Sequence, residues 1–215
     1  MSSKPFGPTY FSSLSTQACL QAMGYLRWWG AAPGEVLFQQ GDNVPALYFI
    51  ETGSVICDAT LEDGRHMIIG FAMSGDGAFG AFEVFGGTPA ACTATTYSAV
   101  TGWHMPAAQA TMALEQIPGF ANLITRSMAR AASTFQHGYI QAVLREPHEL
   151  IAMALLSATQ PLQKVNQTTL AKVLGLTRQC VNKHLRQWAA SGLVEIGYAG
   201  VRVVDREALK QVLQT

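Results

Sequence analysis

The sequence predicts an α+β fold: a β-roll of short strands in the first half, one long helix, and a winged helix-turn-helix at the C-terminal end. Three observations predict it. Between residue 34 and about residue 105, short apolar runs alternate with Gly-, Asp- and Thr-containing turns, the spacing of a barrel or jelly-roll-like β domain. From Ile117 the apolar residues change to a helical period. From Gln167 two short amphipathic helices meet at a glycine turn and lead into a hairpin.

Gly34-Glu35-Val36-Leu37-Phe38-Gln39-Gln40-Gly41-Asp42 is a short strand between turn residues. Strands over 46–51 and 54–58 flank Thr52-Gly53, a tight hairpin signal, and 66–71 is a further strand. Asp63-Gly64, Ser74-Gly75-Asp76-Gly77 and Gly86-Gly87 punctuate turns between them.

The helical stripe follows. Ile117, Phe120, Ile124, Met128, Ala131, Phe135 and Ala142 recur at intervals of three, four or seven, which predicts a helix over 118–143. Such a helix is about 39 Å long and its seam outruns one small β domain. Frequent Ala and Ser let a second helix approach closely. The seam therefore predicts pairing with a second copy of the chain, the alternative being a helix packed only on its own β domain. Arg145-Glu146-Pro147 ends the helix, because proline removes a donor and disfavours helix in the residue before it. The predicted domains are 1–145 and 146–215, with a further helix over 147–158.

Bulk properties exclude some classes. Hydrophobic residues make up 49% of the chain, ample for a packed core, yet runs such as Ala46-Leu47-Tyr48-Phe49-Ile50 fall far short of the ~20 residues a membrane helix needs. Residues 1–10 hold no apolar stretch of the signal-peptide kind, so the expectation is a cytoplasmic protein without a membrane partner. Cys19, Cys57, Cys92 and Cys180 lie far apart in sequence. With no short metal-type spacing, four isolated, reduced, buried thiols are expected and no metal site. The zero net charge hides an asymmetry: residues 1–150 carry −5 and residues 151–215 carry +5. A basic end on an acidic body points to one end meeting a polyanion.

The informative segment is 166–204. Gln167-Thr168-Thr169-Leu170-Ala171-Lys172-Val173-Leu174 reads as a helix with Leu170, Val173 and Leu174 inward. Gly175-Leu176-Thr177 is a turn in which glycine ends the first helix and Thr177 caps the next. The second helix, over 178–190, turns Val181, Leu185 and Trp188 inward. That leaves Arg178, Gln179, Asn182, Lys183 and Arg186 on the outward face, where a recognition helix meets base edges in a major groove. Arg and Lys can donate to guanine O6 and N7, Gln and Asn can pair with adenine, and Arg186 suits a phosphate. Thr168 and Thr177 stand at helix N-termini, where hydroxyl and backbone N–H groups can hold phosphate. Strands on either side of Gly197-Tyr198-Ala199-Gly200 form a wing, and Asp205 caps a last helix over 206–213. The predicted partner is double-stranded DNA.

These residues resemble the Crp/Fnr (cyclic-AMP receptor protein/fumarate-nitrate regulator) family over roughly 25–205. The strongest match is Leu174-Gly175-Leu176-Thr177-Arg178-Gln179-Cys180-Val181-Asn182-Lys183-His184-Leu185, similar to the family's V-G-x-[ST]-R-E-x-V-x-R-x-L. The 34–42 and 47–55 segments look like the first strands of its effector-binding roll. The resemblance implies a cyclic-nucleotide-binding-like double-stranded β-helix, a homodimer on a palindromic operator, and RNA polymerase as a further partner. Gln179 stands where the family often has an acidic reader and Lys183 where it often has Arg. The operator expected is therefore related to the usual TGTGA-type half-site but distinct, with adenine favoured opposite Gln179. The segment over 157–163 is shorter than the polymerase-contacting loop of the family's activator.

The resemblance also bears on the ligand. Family members that bind cyclic nucleotides carry Gly-Glu for the ribose and, about ten residues on, Arg-Ser or Arg-Thr for the phosphate. Here Gly80 is kept, but Ala81 and Ala91 replace the Glu and the Arg. Without the bidentate cation a cyclic phosphate loses its charged partner, so tight binding of cyclic AMP or cyclic GMP is not expected. The candidate effector pocket is Phe79, Gly80, Phe82, Ala91 and Cys92, with Val84 and Phe85 nearby. Its apolar lining suits a small apolar or planar effector, a haem (His66 and His104 being the candidate ligands), or no ligand. No cofactor is predicted. With only Cys19 near the N-terminus, the family's iron–sulfur cluster is not implied. Cys180, on the recognition helix, is either a redox-sensitive group or a small filler against the turn. The alternatives are a constitutive DNA binder with a ligand-free roll, or a ligand carrier or enzyme using the barrel. No G-x-S-x-G, H-E-x-x-H or Gly-Lys phosphate loop supports an enzyme.

Overall fold

A computed structural model describes residues 9–64, 66–157, 167–197 and 200–214. The chain divides into two compact units, one of 1–64 with 69–135 and one of 65–68 with 136–215.

The first unit is built on two antiparallel sheets. Strands β1 (Arg27–Ala31), β3 (Ala46–Thr52) and β7 (Val100–Pro106) form one, in the order β1-β7-β3. Strands β2 (Val36–Phe38), β4 (Ser54–Thr60), β5 (His66–Met73) and β6 (Thr93–Thr96) form the other, in the order β2-β6-β4-β5. The strands at 46–52 and 54–60 are as expected, but the hairpin between them is not formed. β3 pairs with β7 and β4 with β6 and β5, so the chain changes sheets at Gly53. The turn is tight because Gly53 adopts φ +80 and lies against the backbone of Ala99, where a Cβ would collide.

Alternation along the strands explains the two cores of this unit. β3 is buried from Ala46 through Ile50. Ala46, Tyr48 and Ile50 face the inter-sheet core with Phe38, Val55, Cys57, Ala72, Cys92, Ala94 and Val100. Leu47 and Phe49 face the other way, onto three helices the sequence reading did not place or placed only in part. These are α1 (Thr16–Met23), α3 (Ala107–Gln116) and the first turns of α4 (Phe120–Leu144). A strand buried on both faces is apolar at every position, which is why 46–50 carries no polar residue. β1 also escaped the sequence reading. Its Trp28 and Trp29 split between the two cores, edge-on to Trp103 at 5.0 Å and to Tyr48 at 5.3 Å.

α4 runs 25 residues, close to the expected span. Phe120, Leu123, Ile124 and Ser127 are buried against the first unit, whereas Phe135, Tyr139, Ile140, Val143 and Leu144 are exposed.

The second unit packs α5 (Pro147–Ser157), α6 (Gln167–Leu174), α7 (Arg178–Ala190) and α8 (Arg206–Gln211) with the hairpin β8 (Val194–Gly197)–β9 (Gly200–Val203). Ile151, Leu155, Leu170, Val181, Leu185, Trp188, Val194 and Leu209 form its core. On α6 the inward side chains are Leu170, Ala171 and Leu174, so Ala171 takes the place expected of Val173. Residues 158–166 and the wing turn at 198–199 lie outside the described residues.

Candidate nucleic-acid interface and effector site

The turn between α6 and α7 is set by two residues. Gly175 takes φ +65, the left-handed conformation that ends a helix and that a side chain disfavours. Thr177 is the N-cap of α7: it is extended and its hydroxyl oxygen accepts from the Cys180 amide at 3.1 Å. The hydroxyl proton remains able to donate outward.

With Val181, Leu185 and Trp188 buried, α7 turns Arg178, Gln179, Lys183 and Arg186 to solvent, and Asn182 lies half-buried beside them. Charge pairing elsewhere in the unit sharpens this face. Arg202 binds Glu195 across the wing at 2.6 Å, Lys210 binds Glu207 at 2.6 Å, and Arg206 donates to the Leu156 carbonyl at 2.5 Å. Among the described residues, Arg178, Gln179, Lys183, Arg186 and, on α6, Lys172 make no side-chain hydrogen bond or ion pair. Among the described residues, the unpaired cations of the unit are thus on the helix-turn-helix. An open hollow of about 380 Å³ is lined by Gln167, Thr168, Arg178, Ile196, Gly197, Gly200 and Val201. It brings Thr168 and Arg178 together with the wing, a grouping that separate readings of the helices and the hairpin did not supply.

In the β-roll, Gly80 keeps the left-handed conformation (φ +87) at the start of α2 (Ala81–Gly86) and approaches the Ala46 carbonyl. The other predicted pocket residues are dispersed. Phe79 stacks on Phe38 at 5.5 Å in the inter-sheet core, and its backbone bridges to Tyr48. Phe82 is exposed and sits edge-on to Phe135 of α4 at 6.3 Å. Ala91 is exposed and Cys92 is buried. The space between the sheets is occupied by Trp29, Phe38, Tyr48 and Phe79.

His66 is exposed at the start of β5. His104, on β7, stacks on Tyr48, and burial with nearby Arg27 holds it below the usual histidine range. The two stand in different sheets. Among the described residues no group of three or more His, Cys, Asp or Glu side chains is arranged to hold a metal ion, and no helix is long and apolar enough to cross a membrane.

The cysteines depart from the expectation of isolation. Cys57 and Cys92 lie in the same core, and each bears on the other's ionisation. Sequence separation hid this, because Cys57 lies on β4 and Cys92 in the bend that leads into its partner strand β6, and not in a short motif.

A β-roll, a long helix and a winged helix-turn-helix with an unpaired basic face define a DNA-binding transcription regulator. Comparison with known proteins narrows the class. Residues 31–116 match the cyclic nucleotide-binding domain family and residues 149–212 the Crp-like helix-turn-helix domain. A CRP-like cAMP-activated global transcriptional regulator of Mycobacterium tuberculosis is 23% identical over 187 residues, covering 82% of this chain and 83% of that protein. Among solved structures, a Crp/Fnr-family transcriptional regulator from Eubacterium rectale superposes with a TM-score of 0.82 at 19% identity, over 96% of this chain and 99% of that one. The c-di-GMP responsive global regulator CLP of Xanthomonas campestris superposes with a TM-score of 0.77 at 15% identity, over 89% and 100%. The chain belongs to the Crp/Fnr family of transcription regulators.

Proposed function

We propose that this regulator acts as a homodimer on a palindromic operator in the cytoplasm, under the control of a signal other than a cyclic nucleotide. The observation that carries the DNA reading is the face of α7, exposed and free of internal pairing. Arg178, Gln179, Asn182 and Lys183 would read bases. Arg186, Thr168 and Thr177 would hold phosphates, the Thr177 hydroxyl donating outward while its oxygen caps the helix. Pairing of α4 with its copy would cover the exposed Phe135, Tyr139, Ile140, Val143 and Leu144. It would also set two recognition helices about 34–36 Å apart for successive major grooves.

The absence of a glutamate at Ala81 and an arginine at Ala91 speaks against a cyclic nucleotide. This holds although the curated relative is cAMP-activated. A second reading, a constitutive binder, is favoured by one observation: the aromatic cluster that fills the inter-sheet space. Selection of random duplex DNA by the purified protein, at stated salt, tests the reading. An enriched palindrome with half-sites one helical turn apart supports it, and titration of cyclic AMP into that complex should leave the affinity unchanged. Failure to retain any duplex DNA, specific or not, even at low salt would overturn the DNA assignment.

A further inference from the structure

Two thiols distant in sequence meet in the β-roll. Cys57 is an inward residue of β4 and stands opposite Ala94 of β6. Cys92 is two residues before Ala94 and buried on the same side, so it is the diagonal neighbour of Cys57 on one face of the sheet. Diagonal neighbours are about 7–8 Å apart at the backbone, within side-chain reach. A disulfide needs about 5.5–6 Å between Cα atoms, so a small closure is required. The movement has to come from Ala91 and Cys92, which lie between fixed points. Cys92 lies in a bend just outside the β4–β6 ladder. The bend is held on one side by the Ala90 bonds to Gly41 and Asp42 and on the other by Thr93, which accepts from the Gln40 amide.

We propose that Cys57 and Cys92 form a reversible disulfide, with Cys92 the nucleophile and Cys57 the resolving thiol, under a small uncharged hydroperoxide. The asymmetry comes from their places: Cys57 is fixed within β4, whereas Cys92 lies in the bend outside the ladder, and their mutual influence holds the Cys92 thiol below its ordinary value and pushes Cys57 up. Burial opposes ionisation of both, as does Glu83, and Asp58 further opposes that of Cys92. Carboxylates beside a buried pair also repel anionic oxidants, which selects a neutral one.

The Cys92 thiolate attacks the hydroperoxide and the O–O bond breaks. Sulfur is oxidised by two electrons to a sulfenic acid, and the leaving alkoxide takes the proton Cys92 released. Cys57, deprotonating, then attacks the Cys92 sulfur. The S–S bond forms, the S–O bond breaks, and hydroxide leaves as water with the Cys57 proton. Two thiols and hydrogen peroxide thus give one disulfide and two waters, and a dithiol reductant reverses the change.

The test uses the whole chain and no DNA, so it is independent of the operator reading. Reduced protein is treated with hydrogen peroxide, alkylated with N-ethylmaleimide and cut with trypsin. Cleavage after Arg27, Arg65 and Arg126 places Cys57 and Cys92 in separate peptides, 28–65 and 66–126. The expected product is these two peptides joined, two hydrogens lighter than their sum and released by dithiothreitol. Recovery of both as singly alkylated peptides, or linkage of either only to Cys19 or Cys180, would overturn the proposal. The order is read with dimedone: Cys57→Ser should trap a sulfenic acid at Cys92, and Cys92→Ser should leave Cys57 unlabelled. Equal labelling in the two variants refutes the assigned roles. Because either serine could loosen the core, the wild-type cross-link decides on its own.

Discussion

The Ala78 amide donates to the Ser127 hydroxyl at 3.1 Å, tying the loop before α2 to the long helix α4. Ser127 is one of two buried polar residues among those described, at 4% exposure. On the same helix turn the Tyr10 hydroxyl donates to the Leu123 carbonyl at 2.6 Å. Ser127→Ala should therefore cost about 1–3 kcal/mol, the cost of leaving a buried amide without a partner, read as a lower unfolding midpoint in denaturant with unchanged slope. Gly77 presses on the same hydroxyl at φ +99, where a Cβ would land on Ser127 Oγ. Gly77→Ala should destabilise through both backbone strain and collision. The double variant should cost less than the sum, because removing the hydroxyl relieves the collision but not the strain.

The cap of α7 makes a separable prediction. Thr177→Ala removes the acceptor for the Cys180 amide and should cost about 0.5–2 kcal/mol of stability. Thr177→Ser keeps the acceptor and should restore most of it. Thermal unfolding of the three proteins side by side checks this. Equal loss in the Ser and Ala variants would show that the methyl, and not the cap, is what matters.

On DNA, base-reading and phosphate-holding residues should respond differently. Arg178→Ala should weaken binding to the selected operator by about 1–3 kcal/mol and relax preference at one base pair of each half-site. Lys172→Ala should weaken all sequences alike and flatten the dependence of affinity on salt. Anisotropy titrations at several salt concentrations separate the two. An Arg178→Ala protein that binds the operator unchanged would displace α7 from the groove.

Acid should weaken the second unit through His184. Its ring lies 6.0 Å from that of His148 on α5 and 6.1 Å from Trp188. Burial first, then the charges of His148 and Lys183, hold its pKa below the ordinary histidine value of 6.5. The folded state therefore takes up its proton later than the unfolded chain as pH falls. The stability contribution is intact above pH 6.5 and is lost as pH drops below it toward the folded value. His104 in the first unit acts in the same direction. Unfolding free energy measured from pH 8 to pH 5 should fall over the lower half of that range. His184→Gln should shallow the fall, and an unchanged pH profile in that variant would remove His184 from the account.

How much of this was legible in the sequence depends on whether the signal is local. α6 and α7 stand where the reading put them because Gly175 and Thr177 are punctuation that acts within three or four residues. Long-range pairing was not legible. Thr52-Gly53 is a sound turn signal, yet a turn does not say whether its two strands pair with each other or with β7 and β6. The double burial of β3 likewise concealed the helices α1 and α3 that cover its outer face, since an apolar run carries no mark of which side packs on what. The candidate DNA residues were readable from helical spacing alone. The meeting of Cys57 with Cys92 was not, because it follows from the β4–β6 register.

The exposed half of α4 yields the last prediction. Leu144 is 77% and Tyr139 70% exposed, and large apolar side chains at that exposure on one helix are candidates for a surface that another molecule covers. If that molecule is a second copy, Leu144→Glu places a charge in the seam while disturbing no packing within the protomer. Sedimentation equilibrium should then show the dimer weakened by at least tenfold, with the unfolding midpoint of the first unit unaltered. Operator affinity should fall with it, because each half-site contact would have to be made by an untethered protomer. A variant that stays dimeric with full affinity would place the two-fold interface elsewhere on the chain and leave the apolar half of α4 to some other partner.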